Sequence, residues 1–403
     1  MCLETKRLEQ EDSYLLRFES YVVDVRREEG YWVALEASAF YPASGGQAYD
    51  KGTLNGVNVV EVKKEKDVVW HNMSGVLGKR EAVSGVIDWT RRYRHMQRHT
   101  AQHLVSQAFI RLSPAFETRA VSLRSAVMTL DLAGEPAQKN CEAAEVMVNE
   151  LAYKNLEIKA FQVDEADLSA YSLRRPAKVA GTVRLVQMGD WELSACGGTH
   201  LRSTSEALPI KLLRLERIRQ GLTRVYLMAG LEALEDYRLK HSVSAELTKD
   251  FSVPVPELPQ RMNDLKAELA VKTLKLEQTR MRLAETILEG YLDQALTTPH
   301  GRVLCLTLPI EDHDLLPFMA QASANHKDLI GLFASRKAKA TMLFVRGSEV
   351  AADMNELLQV ALPHIRGRGG GKPARAQGGG DNIGGIEKAL ENVLEFLDTY
   401  EAL

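Results

Sequence analysis

Apolar and polar positions along the first ninety residues alternate in short runs that glycine interrupts. Segments 21–25, 31–35, 57–62 and 68–70 are β-branched and aromatic, and Gly30, Gly45, Gly46, Gly52, Gly56, Gly75, Gly78 and Gly85 separate them. Short strands with glycine turns predict a small β-barrel over 1–90. The pattern changes at Asp88-Trp89-Thr90. From 91 to 112, Met96, His99, His103 and Ser106 recur at spacings of three and four, which predicts a helix that Pro114 ends. Strands are expected at 121–130, 157–163 and 183–188, a helix at 138–154, and a strand-loop-strand at 211–226. Helix and strand alternate, so 91–232 reads as an α+β domain.

Residues 233–296 read as a helical linker broken by Pro254, Pro256 and Pro259. Leu258, Met262, Leu265, Leu269, Leu276, Leu283 and Ile287 follow a heptad seam, with Lys272 and Thr279 at two core positions. A long helix joining two domains and a dimerising coiled coil both fit that pattern. Beyond Pro299 the chain returns to α/β over 297–403. Strands are expected at 302–308, 329–334 and 339–345, and helices at 315–324, 354–361 and 386–400. A glycine-rich loop is expected at 367–385. The fold class is therefore α+β multidomain.

Of the 403 residues, 45% are hydrophobic and 26% charged, a globular composition. Lys plus Arg is 51 against 54 Asp plus Glu, a formal charge of -3, so any nucleic-acid surface must be a local patch. No apolar run approaches the ~18–20 residues of a membrane span, and no secretory signal is expected at the N-terminus. Cys2, Cys141, Cys196 and Cys305 are widely spaced, which favours a reduced, cytoplasmic setting over a disulfide scaffold.

Two motifs carry chemistry. His99-Thr100-Ala101-Gln102-His103 places two imidazoles at i and i+4, on one face of a helix. Cys196-Gly197-Gly198-Thr199-His200 offers a thiolate and an imidazole from one loop. Together His99, His103, Cys196 and His200 suit Zn2+ by ligand softness. Four protein ligands are the usual structural count and three plus water the catalytic one, so the role of the metal stays open. The general-base Glu of HExxH proteases is replaced by Thr100, which argues against a protease.

Four segments, in order, resemble one family. They are Phe40-Tyr41-Pro42-Ala43-Ser44-Gly45-Gly46-Gln47-Ala48-Tyr49-Asp50-Lys51-Gly52, the two metal motifs, and 368–380 with its glycine, Lys372 and Arg375 content. The chain is similar to the free-standing alanyl-tRNA editing proteins in their long form. These are related to the editing and C-terminal (DHHA1) domains of alanyl-tRNA synthetase. Ser44 stands where those proteins often carry a third glycine. The resemblance implies a zinc-binding editing domain at 91–232 and an RNA-binding domain at 297–403. It implies hydrolysis of mischarged Ser-tRNA(Ala), or Gly-tRNA(Ala), acting in trans. It associates ATP binding with the chain by family alone.

The need for such an activity is physical. A synthetase pocket rejects an isostere that merely adds a hydroxyl by only about 10². A second site built around that hydroxyl discriminates far better. Thr100 and Gln47 are the expected substrate-contacting residues; a helix hydroxyl and hairpin chemistry are their plainer readings. Arg184 and Asp190 read as surface charge. Arg91, Arg92 and Arg94 before the first metal motif, and Arg366, Arg368, Lys372 and Arg375 in the glycine segment, are expected to meet tRNA phosphates. A third basic run, Lys211, Arg214, Arg217, Arg219 and Arg224, includes a single acid, Glu216. The linker or the C-terminal domain offers a homodimer contact. A zinc-stabilised tRNA-binding module without catalysis is the alternative, and a fragment of a full synthetase is less favoured.

Overall fold

The computed structural model describes residues 4–174 and 181–400; Cys2 lies outside them. The chain divides into two compact units, Met1–Leu247 and Thr248–Leu403.

In the first unit, six antiparallel strands pair in a closed order. They are Arg17–Arg27, Tyr31–Leu35, Val68–Met73, Val57–Glu65, Gly52–Leu54 and Ala82–Ile87, the last returning to the first. Strand Arg17–Arg27 alternates as expected, with Phe18, Ser20 and Val22 buried between exposed Arg17, Glu19 and Tyr21. Val22, Val33, Leu35, Phe40, Leu54, Val62 and Val69 fill the interior. The all-β character of this segment is thus present. Where a small barrel was expected there is a ring closed through a three-residue strand, with register shifts in Arg17–Arg27 and Val57–Glu65.

Helix Trp89–Leu112 follows, capped by Asp88, whose side chain accepts from the Arg91 amide. Every residue from His95 to Ser106 is buried, so this helix has no solvent-facing stripe. Its polar side chains must therefore find partners inside. Two sheets belong to the same unit. One is four-stranded, in the order Ile210–Arg219, Leu222–Ala229, Met128–Ala133, Thr118–Ser122; the other is three-stranded, Ile158–Asp164, Thr182–Met188, Glu192–Ala195. Met96, Leu104, Val105 and Phe109 of the helix share a core with Leu130, Val148, Val225 and Leu227. The single strand expected over 121–130 is two strands, Thr118–Ser122 and Met128–Ala133, with a turn at Ser125, whose hydroxyl donates to Val127 O at 2.7 Å.

In the second unit, helix Leu258–Tyr291 begins after Pro254 and Pro256. Its seam residues Met262, Leu269, Leu276 and Leu283 are exposed, while Ala284 and Leu288 near its end are buried. A six-stranded sheet runs in the order Leu296–Thr298, Gly301–Leu308, Leu329–Arg336, Ala340–Arg346, Arg375–Gly380, Gly367–Lys372. Gly301–Leu308 and Leu329–Arg336 are parallel, and helix Leu316–Ala324 crosses between them. Alternate residues of Leu329–Arg336 face two cores. Ile330 and Leu332 meet helices Met354–Ala361 and Ile386–Asp398, and Leu329 and Phe333 meet Leu316–Ala324. The glycine segment, expected as a loop, is largely a hairpin: Gly367–Lys372 pairs with Arg375–Gly380 around Pro373-Ala374. A Cβ at Gly369 would lie 2.5 Å from Gln377 O, so glycine there permits the close strand approach. Among the described residues, no helix is long and apolar enough to cross a membrane.

Candidate metal centre

The fold brings His99, His103, Cys196 and His200 together, with one ligand atom of each within 4.8 Å of all the others. Helix Trp89–Leu112 supplies the first two. Strand Glu192–Ala195 delivers the other two at its C-terminal end. Cys196 Sγ lies 3.4 Å from His99 Nε2 and 3.3 Å from His200 Nε2. A tetrahedral zinc with Zn–N of about 2.0–2.1 Å and Zn–S of about 2.3 Å places N and S about 3.5 Å apart. The donor set and these spacings fit zinc.

Each histidine is turned inward by a separate partner at Nδ1. His99 Nδ1 donates to Gln47 Oε1 at 2.8 Å, and Gln47 Nε2 donates to Thr199 Oγ1 at 2.9 Å. His103 Nδ1 donates to Glu192 Oε1 at 2.9 Å, with Ser194 Oγ at 3.2 Å. His200 Nδ1 stands 3.3 Å from Thr100 Oγ1, which also accepts from the Leu201 amide at 3.2 Å. Such outer partners fix the tautomer and raise the basicity of a ligand. Thr100 and Gln47 are fully buried, and their hydrogen bonds hold ligand rings.

Local backbone explains the placement. Ser44 and Gln47 exchange backbone hydrogen bonds across Gly45 and Gly46, which have φ of 56° and 88°. That is a type I′ hairpin turn, which needs positive φ at its two central positions. Ser44 lies outside those two, so a third glycine is not required. In the second motif the two glycines differ. A Cβ at Gly198 would overlap the His99 ring, whereas one at Gly197 would meet only Gln10 Nε2, at an ordinary 4.0 Å. Arg184, read from sequence as surface charge, is buried; it donates to Cys196 O at 2.8 Å and Gly198 O at 3.0 Å, pinning the loop. Asp190 is exposed, as expected. Glu192 and Ser194 were missed. Their signal was two polar residues on one face of the strand that leads into Cys196.

Charge inside the cluster is arranged for a cation. Burial alone would raise the Cys196 thiol, but His99, His200 and His103 outweigh it and lower its pKa well below the usual value. Burial opposes protonation of His103, yet the Glu192 carboxylate wins and lifts it to about 9. Burial and the neighbouring His99 depress His200 to about 3. The burial penalty on Glu192 is overcome by His103 and by Arg174, 2.9 Å away, and its pKa falls.

The basic residues divide sharply. Arg92, expected at an RNA surface, is fully buried. It pairs with Asp50 (Nε to Oδ2, 2.9 Å) and donates to Ser13 O and Ala39 O. It ties the Phe40–Gly52 segment to the helix and does not face solvent. Arg94 pairs with Glu235 at 2.5 Å, and Arg91 Nε donates to Tyr49 O at 2.9 Å. In the third basic run, Lys211, Arg214, Arg217 and Arg224 are ion-paired with Glu145, Glu216, Glu135 and Asp131. Arg366, Arg368, Lys372 and Arg375 are exposed on or beside the glycine hairpin.

Three family models match this chain. They are tRNA synthetases class II (A) over residues 4–91, the threonyl and alanyl tRNA synthetase second additional domain over 183–226, and the DHHA1 domain over 301–401. Over 93% of its length the chain is 27% identical to the alanyl-tRNA editing protein AlaX-L of Pyrococcus horikoshii, and it covers 94% of that protein. The chain is similar to the alanyl-tRNA editing proteins. It also matches alanine–tRNA ligases. Identity is 27% over 98% of the chain for that of Pyrococcus abyssi, and 30% over 70% for that of Pyrococcus furiosus. It spans only 44% and 32% of those two ligases. In this chain the second additional domain match contains Cys196 and His200, and the DHHA1 match contains the glycine hairpin.

Proposed function

We propose that this chain hydrolyses the ester of a mischarged alanine tRNA, Ser-tRNA(Ala) first and Gly-tRNA(Ala) second, at a zinc held by His99, His103, Cys196 and His200. The observation that carries the reading is the convergence of three histidines and one cysteine, each imidazole oriented by its own partner. The near-complete match to an alanyl-tRNA editing protein supports the substrate class. Bound zinc would supply Lewis acidity toward a carbonyl or lower the pKa of a water. Gln47, Glu192 and Thr100 would act as positioning residues, holding the rings that hold the metal. Arg91, Arg94 and the exposed Arg366, Arg368, Lys372 and Arg375 would meet tRNA phosphates. The division at 1–90, 91–232, 233–296 and 297–403 belongs to this reading, as does a cytoplasmic setting.

A second reading is a zinc-stabilised tRNA-binding module without catalysis, favoured by the count of four protein ligands. The deciding experiment is release of serine from Ser-tRNA(Ala) by catalytic amounts of the zinc-loaded protein, with Ala-tRNA(Ala) in parallel. Turnover of the seryl ester with the alanyl ester spared supports the hydrolase. Retained tRNA binding without turnover of either rejects it and leaves the binding module.

A further inference from the structure

One helical turn before His99, a cavity of about 350 Å³ opens beside Arg91, Arg94, His95, Arg98 and Arg124, with Asp88 and Glu232 as the carboxylates in its wall. Both acids are already engaged. Glu232 takes the guanidinium of Arg98 through both oxygens, one of them at 2.6 Å. Asp88 caps the helix through the Arg91 amide at 3.1 Å. The donors are not all engaged. His95 is 2% exposed, and its Nδ1 faces Arg98 Nη1 at 3.4 Å. A guanidinium only donates, so that nitrogen accepts and the ring proton sits on Nε2. Nε2 is buried and has no hydrogen-bond partner among the described residues. Arg94 Nε is buried in the same condition. Arg91 and Arg124 have no carboxylate partner among the described residues, and Arg124 is exposed at the rim.

Buried donors without acceptors are costly unless something completes them. The unpartnered N–H groups of His95 and Arg94, with the unpaired guanidinium of Arg124 and the Arg91 nitrogens not used on Tyr49 O beside them, ask for an oxyanion with several acceptor oxygens, even though Arg94 also pairs with Glu235. Arginine forks match phosphate in this way. Arg94 and His95 stand about one helical turn before His99 on the same helix, so such an anion would lie on the N-terminal side of the metal ligands. We propose that this cavity is a phosphate subsite that holds a backbone phosphodiester of the nucleic-acid substrate near its reacting end. The site rests on the reading that the substrate is a tRNA.

The test uses the full, zinc-loaded chain and an uncharged RNA oligonucleotide ending in CCA, beside the same oligonucleotide with uncharged methylphosphonate linkages, and inorganic phosphate alone. Affinities are read for the parent protein and for Arg124→Ala and His95→Phe, which has no donor at the Nε2 position, with bound zinc measured in each. Removing one charge-assisted hydrogen bond should weaken the phosphodiester RNA about tenfold. For Arg124→Ala the dependence of log K on log salt should also flatten by about 0.7 for a single strand. The methylphosphonate RNA should bind weakly to the parent and not respond to either variant. Arg124 is exposed and has no ion-pair partner among the described residues, so its variant keeps the test sound should His95→Phe fail to fold. Unchanged RNA affinity and salt slope in Arg124→Ala overturn the proposal. So does an effect of the variants on inorganic phosphate alone, which would make this a free-phosphate site. Because the RNA is uncharged, absence of deacylation leaves this site standing. Unaltered RNA affinity in variants of an active deacylase overturns the site and leaves the hydrolase.

Discussion

Glu192 Oε1 accepts from Nδ1 of His103 at 2.9 Å, and both side chains are buried. The carboxylate therefore reaches the candidate metal through an imidazole. Outer carboxylates of this kind typically contribute 10–100-fold to metal affinity. Glu192→Gln keeps a hydrogen-bond acceptor and removes the charge. We expect zinc affinity to fall by roughly 10–100-fold, measured by competition with a chromophoric chelator. Equal affinity in the variant would show that the pair only packs.

The two glycines of the second motif should behave differently. Gly198→Ala puts a methyl group into the His99 ring, whereas Gly197→Ala meets nothing close. Bound zinc should drop sharply in the first variant and stay stoichiometric in the second. Equal zinc content in both would mean that the loop relaxes around the added methyl.

Proton release on metal binding should be uneven across the ligands. In the metal-free protein Cys196 is lowered toward its thiolate and His103 is raised to about 9. Below about pH 9 zinc must displace the proton of His103, whereas the lowered Cys196 gives up its proton more readily than an ordinary thiol. Calorimetry in buffers of different ionisation enthalpy should show proton release on zinc binding that diminishes as the pH passes about 9. Apparent affinity should rise with pH until about pH 9 and then level off. Proton release that does not change across about pH 9 would mean that His103 meets the metal already neutral.

Arg92 and its neighbours on the same basic run should separate by phenotype. Arg92→Met leaves Asp50 buried without its partner, and breaking a buried pair costs about 3–5 kcal/mol. The expected result is a lowered unfolding midpoint in urea, with RNA affinity per folded molecule unchanged. A variant of full stability and weakened RNA binding would return Arg92 to the RNA surface.

The glycine hairpin should respond to salt. Combined Arg368→Ala and Lys372→Ala should weaken tRNA binding. The slope of log K against log salt should flatten by about 0.9 for each duplex phosphate that is no longer neutralised. Identical slopes would remove this hairpin from the RNA surface.

Sequence reading went furthest where residue type and spacing are tied to chemistry. Each of two motifs almost a hundred residues apart is recognisable as a ligand pair by itself, and their ligands meet within 4.8 Å. It failed where a role depends on what lies opposite. A run of arginines does not reveal that Arg92 points at Asp50 while Arg91 lies beside Tyr49, because forty residues separate the partners. Glu192 and Ser194 occupy a four-residue strand, too short to show a period. The glycine hairpin was read as a loop because glycine carries no side chain to alternate. The barrel expectation saw the strands and their glycine turns, but not that a strand as short as Gly52–Leu54 would complete the circuit.

The burial of helix Trp89–Leu112 on all sides from His95 to Ser106 also bears on how a metal ion arrives. Two ligands stand on a fully buried stretch of helix, whereas Cys196 is only half-buried and Gly197 is exposed. Loading and loss of the ion must therefore run through the 196–200 loop. Its residence time will follow how often Arg184 lets that loop go, more than the strength of any one bond to the ion.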